Sequence, residues 1–178
     1  VHGPLQLPKA FLEGLTSHPV QSSEQMQNKL AKLQSSANVV AMAAAVSDLK
    51  KKNVSENKKI SKESLLASFD NGFEPVPDLL TEMVKRRSES QVFLGFSALT
   101  GNDTQIQELG EAKRVQKGCD LLMVNPIDRI GQGFEVQANG GFLLGPKGMV
   151  KKISVTSKLA LAHQLLNALI ALKPKISK

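Results

Sequence analysis

The chain contains no tryptophan, no tyrosine and one cysteine, Cys119, in 178 residues. A lone cysteine cannot build an intrachain disulfide framework, and it suits a reducing, cytoplasmic setting. With seven phenylalanines as its only aromatics, the chain lacks the several exposed rings on which single-stranded nucleic acid stacks. His2, His18 and His163 fall in no ligand spacing, so neither a zinc site nor a histidine-based triad is supported. No apolar run approaches the roughly 20 residues that span a bilayer. The start, Val1-His2-Gly3-Pro4, does not read as a signal peptide.

What is present is an ordinary globular composition, 41% hydrophobic and 22% charged, in a chain long enough for one domain with a substantial core. The net charge of +7 implies an anionic partner without choosing between nucleic acid and a polyphosphate ligand. The lysines form three groups: a loop around 50–62, a helix around 113–117, and the C-terminal region.

The apolar pattern predicts the organisation. Val1 to Pro8 reads as the end of a strand entering a Gly-Pro loop. Ser22 or Ser23 can cap a helix carrying Met26, Leu30 and Leu33 at helical spacing. Asn38 to Val46 is a short continuous apolar run, expected as a strand buried on both faces. The polar, lysine-rich stretch that follows reads as a flap over 49–75 containing a short strand. Pro77, at a first helical position, opens a helix to about Arg87. Val92 to Phe96 is a second buried strand. Asp103 begins a helix that stops at Gly118, and Cys119 to Val124 is a third buried strand in which Cys119 serves packing. Between Phe134 and Ile153, Asn139-Gly140-Gly141 and Gly145-Pro146 suggest hairpins. A last helix, capped by Thr156 or Ser157, is expected to bury Leu159, Ala162, Leu166 and Leu169. The fold class is therefore α/β: a Rossmann-like parallel sheet flanked by helices, with an antiparallel hairpin extension.

Ligands of open α/β sheets bind beyond the carboxyl ends of the strands, where Asp48, Phe96 and Asn125 are expected. The run Ala43-Ala44-Ala45-Val46-Ser47-Asp48 ends on a carboxylate and leads into Lys59-Ile60-Ser61-Lys62, an order that suits a nucleotide. Taken singly, each residue has a plain structural reading too. Asp48 can cap a turn, Lys59 can be a solvated loop lysine, and Pro77-Asp78-Leu79-Leu80 can be a good helix start. Phe96 can be core. Lys113 and Lys117, four residues apart on one helix face, oppose each other by about 0.2–0.5 kcal/mol unless an anion lies between them. They can equally be a favourable cation pair at a helix C-terminus.

Together with Gly95-Phe96-Ser97-Ala98-Leu99-Thr100 and the segment Lys113 to Asn125, these motifs resemble the phosphopantothenoylcysteine synthetase (phosphopantothenate–cysteine ligase) family of coenzyme A biosynthesis. The resemblance runs from Val1 to about His163 and implies a single ligase domain over 1–178. It lacks the Gly-rich segment that precedes this region in the family, and with it the expected activity of the chain by itself. It implies activation of 4′-phosphopantothenate by a nucleoside triphosphate, CTP rather than ATP, as an acyl-nucleotidylate. The amine of cysteine then forms the amide. Mg²⁺ accompanies the nucleotide, and FMN would belong only to a fused or associated phosphopantothenoylcysteine decarboxylase. The family implies a cytoplasmic homodimer with small-molecule substrates, no nucleic acid and no membrane. By the same resemblance Met42, Ala43, Ala44, Asp48, Lys59, Pro77, Asp78, Leu79, Leu80, Phe96, Lys113 and Lys117 contact the nucleotide, and Lys59 is the catalytic residue. The resemblance leaves the metal-binding side chains unknown.

The chain departs from the family at Leu99, where a glutamate is commoner, and at Ser61, where a lysine is commoner. Two other classes stay open on the residues alone. A nicotinamide-dependent oxidoreductase would need a Gly-rich fingerprint and usually a Tyr or His proton donor, and there is no Tyr. A basic nucleic-acid-binding module would bind random DNA with a steep salt dependence.

Overall fold

The computed structural model describes residues 1–5, 9–52, 72–129 and 138–172, except for the side chains of Lys9 and Phe11. The catalytic candidate Lys59, with Ser61 and Lys62, lies outside the described residues. The chain divides into two compact units, Val1–Leu30 with Ala44–Leu79, and Ala31–Ala43 with Leu80–Lys178.

In the first unit His2 forms a parallel bridge with Pro19, closed by Val20 N–H donating to the His2 carbonyl at 2.9 Å. Helix α1, Ser23–Leu33, continues three residues past this unit. Its cap is Ser22, whose Oγ accepts from Gln25 N–H at 3.1 Å, so the first of the two candidate serines caps. Strands β2, Leu49–Lys51, and β3, Phe73–Pro75, form an antiparallel ribbon. A Lys50–Glu74 ion pair at 3.1 Å lies across it.

The second unit is built on a five-stranded sheet. Its strands are β1 (Val39–Met42), β4 (Val92–Leu99), β5 (Leu121–Pro126), β6 (Ala138–Gly145) and β7 (Met149–Ser157), in the order β1-β4-β5-β6-β7. The first three are parallel, and β6 and β7 add antiparallel. The α/β expectation, parallel sheet plus antiparallel extension, is what the chain adopts. Central β5 is the most apolar strand, with Leu121, Leu122, Met123 and Val124 fully buried. Burial on both faces was also expected of the first strand. Instead β1 stops at Met42, is only partly buried, and among the described residues pairs with β4 alone, at one end of the strand order. An apolar run cannot by itself reveal how many strands flank it.

Helices cover both faces. On one, α4 (Lys158–Leu172) packs Leu161, Leu165 and Leu169 onto Val92, Leu94, Leu121, Met123, Leu143 and Ile153. The stripe expected inside was Leu159, Ala162, Leu166 and Leu169. Of these only Leu169 is buried, while Leu159 is 70% and Leu166 49% exposed. On the other face lie α2 (Leu79–Lys85) and α3 (Asp103–Lys117). Helix α2 starts at Leu79, so Pro77 and Asp78 precede it and the helix is shorter than expected. Helix α3 has the expected bounds. Asn102 and Gln105 form a reciprocal capping box at its start, and Gly118, in the left-handed region at φ 68°, ends it. Gly110 costs α3 about 1 kcal/mol against alanine in helix propensity. It lets the helix lie close to the sheet, where an added Cβ would stand 2.7 Å from Val124 and Leu144.

Asn139-Gly140-Gly141 is not a hairpin. It lies inside β6, at a register shift against β7. Gly141 has φ 144°, and a Cβ there would stand 2.0 Å from the Val124 carbonyl oxygen. The glycines serve close backbone approach within the sheet, which a turn reading of the same residues cannot distinguish. The actual reversal is Pro146–Gly148, as the Gly145-Pro146 signal predicted.

Candidate functional site

Along β4 side chains alternate between the two faces of the sheet. Phe96 turns to the α4 side and packs against that core. Its neighbours Gly95 and Ser97 face α2 and α3. A Cβ on Gly95 would stand 2.7 Å from Leu80, so Leu80 covers this glycine. Met42, the last residue of β1, is in register with Gly95, and Ala43 follows at the exposed end. Ser97, next along the face, meets Lys113, whose Nζ donates to Ser97 Oγ at 3.4 Å. Met42, Leu80 and Lys113 are thus gathered around one stretch of β4, while Phe96 projects from the opposite face of the same stretch.

Lys113 and Lys117 extend the sheet-facing stripe of α3, following the buried Ile106 and Gly110 at helical spacing. Both are half-buried. Most cations of this unit with a fixed side chain meet a carboxylate. Arg114 pairs with Glu111 at 2.7 Å and Arg87 with Asp120 at 2.9 Å. Arg129 and Lys152 share Asp103. These pairs shift titrations in the expected directions. Hydrogen bonds from Lys152 and Arg129 hold Asp103 below the usual carboxylate range, and the Arg114 guanidinium does the same to Glu111. Burial pushes the Cys119 thiol up, which fits a packing role. Lys113 differs: among the described residues its partner is a neutral hydroxyl and no carboxylate pairs with it. Its charge is therefore left available to an anion, with two ammonium N–H donors not used by Ser97.

The first unit holds the other candidates. Ala44, Asp48, Pro77 and Asp78 are exposed, and Leu79 is buried. The Asp48 carbonyl accepts from Val76 N–H at 2.9 Å, anchoring the end of the ribbon. Open clefts lie among the described residues of this unit. One, of about 320 Å³, is lined by Ser23, Glu24, Gln27, Lys50, Glu74 and Pro77. Another, of about 230 Å³, runs past Gly3, Met26, Ala45 and Ser47. Sequence reasoning missed Ser97 and the Asp103–Arg129–Lys152 cluster. A serine in an apolar strand is a weak signal, and the cluster joins residues distant in the chain. Among the described residues no helix is long and apolar enough to cross a membrane.

A model of the DNA/pantothenate metabolism flavoprotein C-terminal domain family matches residues 1–172. The chain belongs to this family. Among its members, the coenzyme A biosynthesis bifunctional protein CoaBC of Mycobacterium tuberculosis is 32% identical over 165 residues, covering 85% of this chain and 37% of the relative. The CoaBC protein of Bacillus subtilis is 26% identical over 97% of this chain and 40% of its own length. The chain therefore spans about two fifths of the length of the curated relatives it matches. The fold agrees with the crystal structure of a CoaBC C-terminal domain at TM-score 0.73 and 19% identity, over 96% of this chain and 73% of that one.

Proposed function

We propose that this member of the family acts as a phosphopantothenate–cysteine ligase in coenzyme A biosynthesis. CTP activates the carboxylate of 4′-phosphopantothenate as an acyl-cytidylate with release of pyrophosphate. The amine of cysteine then displaces CMP to give the amide. What supports the nucleotide half of this reading is Lys113, half-buried, held by Ser97 and lacking a carboxylate partner among the described residues. Support for the reaction comes from the family and from a Cab2 variant solved in complex with phosphopantothenate-cysteine. That structure has TM-score 0.56 and 14% identity to this chain.

The chemistry brings two anions together, and cationic groups that stabilise developing negative charge offset the repulsion. In this reading Lys113 and Lys117 hold nucleotide phosphates, and Lys59 stabilises the acyl-transfer step. Among the described residues no group of three His, Cys, Asp or Glu side chains could hold a metal. In this reading magnesium would accompany the nucleotide substrate. A cytoplasmic homodimer, fused to or associated with a decarboxylase that carries FMN, completes the proposal.

The test is ligand-dependent melting of the chain with CTP, ATP, NADH and random duplex DNA, since a ligand that binds only the folded state raises Tm by mass action. The expected result is a rise with CTP, a smaller one with ATP, and none with NADH. A rise with NADH alone would overturn the proposal in favour of an oxidoreductase. Steeply salt-dependent binding to DNA without a CTP effect would favour a nucleic-acid module. Pyrophosphate release from CTP that requires 4′-phosphopantothenate, measured on the chain joined to the family's preceding Gly-rich segment, tests the activation step.

A further inference from the structure

We propose that Ser97 is a positioning residue whose hydroxyl aims the Lys113 ammonium at a nucleotide phosphate without neutralising it. The inference rests on the nucleotide reading of Lys113 given above. Among the described residues of the second unit, Lys85, Arg87, Arg114, Arg129 and Lys152 are each fixed by a carboxylate. A carboxylate holds a cation firmly and cancels its charge toward any incoming anion. A hydroxyl accepts one of the three ammonium N–H donors and leaves the charge, and two donors, for a phosphate. The Ser97 Oγ, 3.4 Å from Lys113 Nζ, does the second of these.

The position of Ser97 is dictated by the sheet. Phe96 packs into the α4-side core, so strand alternation turns Ser97 toward α3. Its backbone is in register with Val124 of β5, one of the fully buried residues of the fold. The stretch that presents the hydroxyl is therefore rigid, and so the lysine it orders has less rotamer freedom to lose on binding. Alanine would fill nearly the same space. Only the oxygen distinguishes the two.

The experiment measures the CTP dissociation constant by calorimetry, and Tm without ligand, for the full chain and for Ser97→Ala, Ser97→Thr, Ser97→Asp and Lys113→Gln. Ser97→Ala should weaken CTP about tenfold, as for loss of one hydrogen bond to a charged group, with Tm unchanged. Ser97→Thr should restore binding, because it restores the hydroxyl. Ser97→Asp should weaken CTP as far as Lys113→Gln while keeping or raising Tm, because the new carboxylate would pair with Lys113. If Lys113→Gln weakens CTP and Ser97→Ala does not, Ser97 has no positioning role, and the nucleotide reading stands. If Ser97→Ala lowers Tm and Ser97→Thr restores neither quantity, the residue is structural and the inference fails. Failure of the unaltered chain to bind CTP would remove the nucleotide reading and this inference with it.

Discussion

The amino-terminal end of the sheet and the α3-facing stretch of β4 treat their polar groups in opposite ways. At the amino-terminal end, Gln91 is 3% exposed and Gln34 6%, and both side chains are hydrogen-bonded. Gln91 Nε2 donates to the Gln34 and Ala37 carbonyls at 2.6 and 2.8 Å, its Oε1 accepts from Ser88 N–H at 3.0 Å, and Gln34 Nε2 donates to the Met83 carbonyl at 2.7 Å. Beside them Asp120 accepts from Arg87 and, at 2.7 Å, from Phe93 N–H, while Arg87 stacks 5.2 Å over the Phe93 ring. Here polar groups close one another and tie the strand starts together. A few residues along β4, Lys113 is oriented but its charge is left open. Closed networks make a frame, and an open charge on that frame makes a candidate ligand site.

The sharpest test of the open-charge half of this contrast is at Lys59, which is outside the described residues. In the chain joined to the Gly-rich segment that precedes this region in the family, Lys59→Gln should reduce ligase turnover by about 10²–10³, the typical cost of one electrostatic contact to developing charge, with a much smaller loss of nucleotide affinity. Lys51→Gln, the matched change in the same basic stretch, should leave turnover nearly intact. Equal losses would mean that the lysines act only as a diffuse field.

Gln91→Leu probes the frame itself. It keeps volume but strips partners from two carbonyls and one N–H, and stability should fall by about 3 kcal/mol, read as a lower denaturation midpoint at unchanged slope. CTP affinity of the protein that remains folded should not change, which would separate frame from site. Asp120→Ala should cost less, about 2 kcal/mol, because its ion pair is partly solvated, at 29% and 27% exposure.

The smallest effect is a pH dependence. The folded pKa of Asp103 is lowered, chiefly by the Lys152 hydrogen bond and then by Arg129. Its contribution is therefore present above the ordinary carboxylate value and is lost as pH falls through the lower folded value. Asp103→Asn should lower Tm slightly near neutrality and converge with the unaltered protein well below pH 4, so that the acid drop in Tm is flatter, 3.8 being the ordinary value. An equally steep acid drop in both proteins would assign it to other carboxylates.

Much of the frame is legible in the amino-acid order because its signals are local. Gly118 ends α3 and Pro146 opens a reversal whatever surrounds them, since backbone conformation at these positions is nearly intrinsic. Continuous apolar runs such as Leu121 to Val124 allow little but a buried strand between helices. The face of α4 was not legible, because apolar residues surround that helix. Leu159, Leu161, Leu165, Leu166, Leu169 and Ile170 support more than one stripe, and spacing alone does not choose.

Residue order alone carries the α/β class, the bounds of α3, the family, and the kinds of residue available to meet a nucleotide. These follow from chain-local preferences and from motifs whose order survives without coordinates. Tertiary structure alone decided that Phe96 and Lys113 lie on opposite faces of the sheet, that Asn139-Gly140-Gly141 is sheet interior, and that Ser97 meets Lys113. Those facts depend on strand register and on which helix packs on which face. Both are set by burial summed over residues far apart in the chain, where a one-residue slip would turn every side chain to the other side.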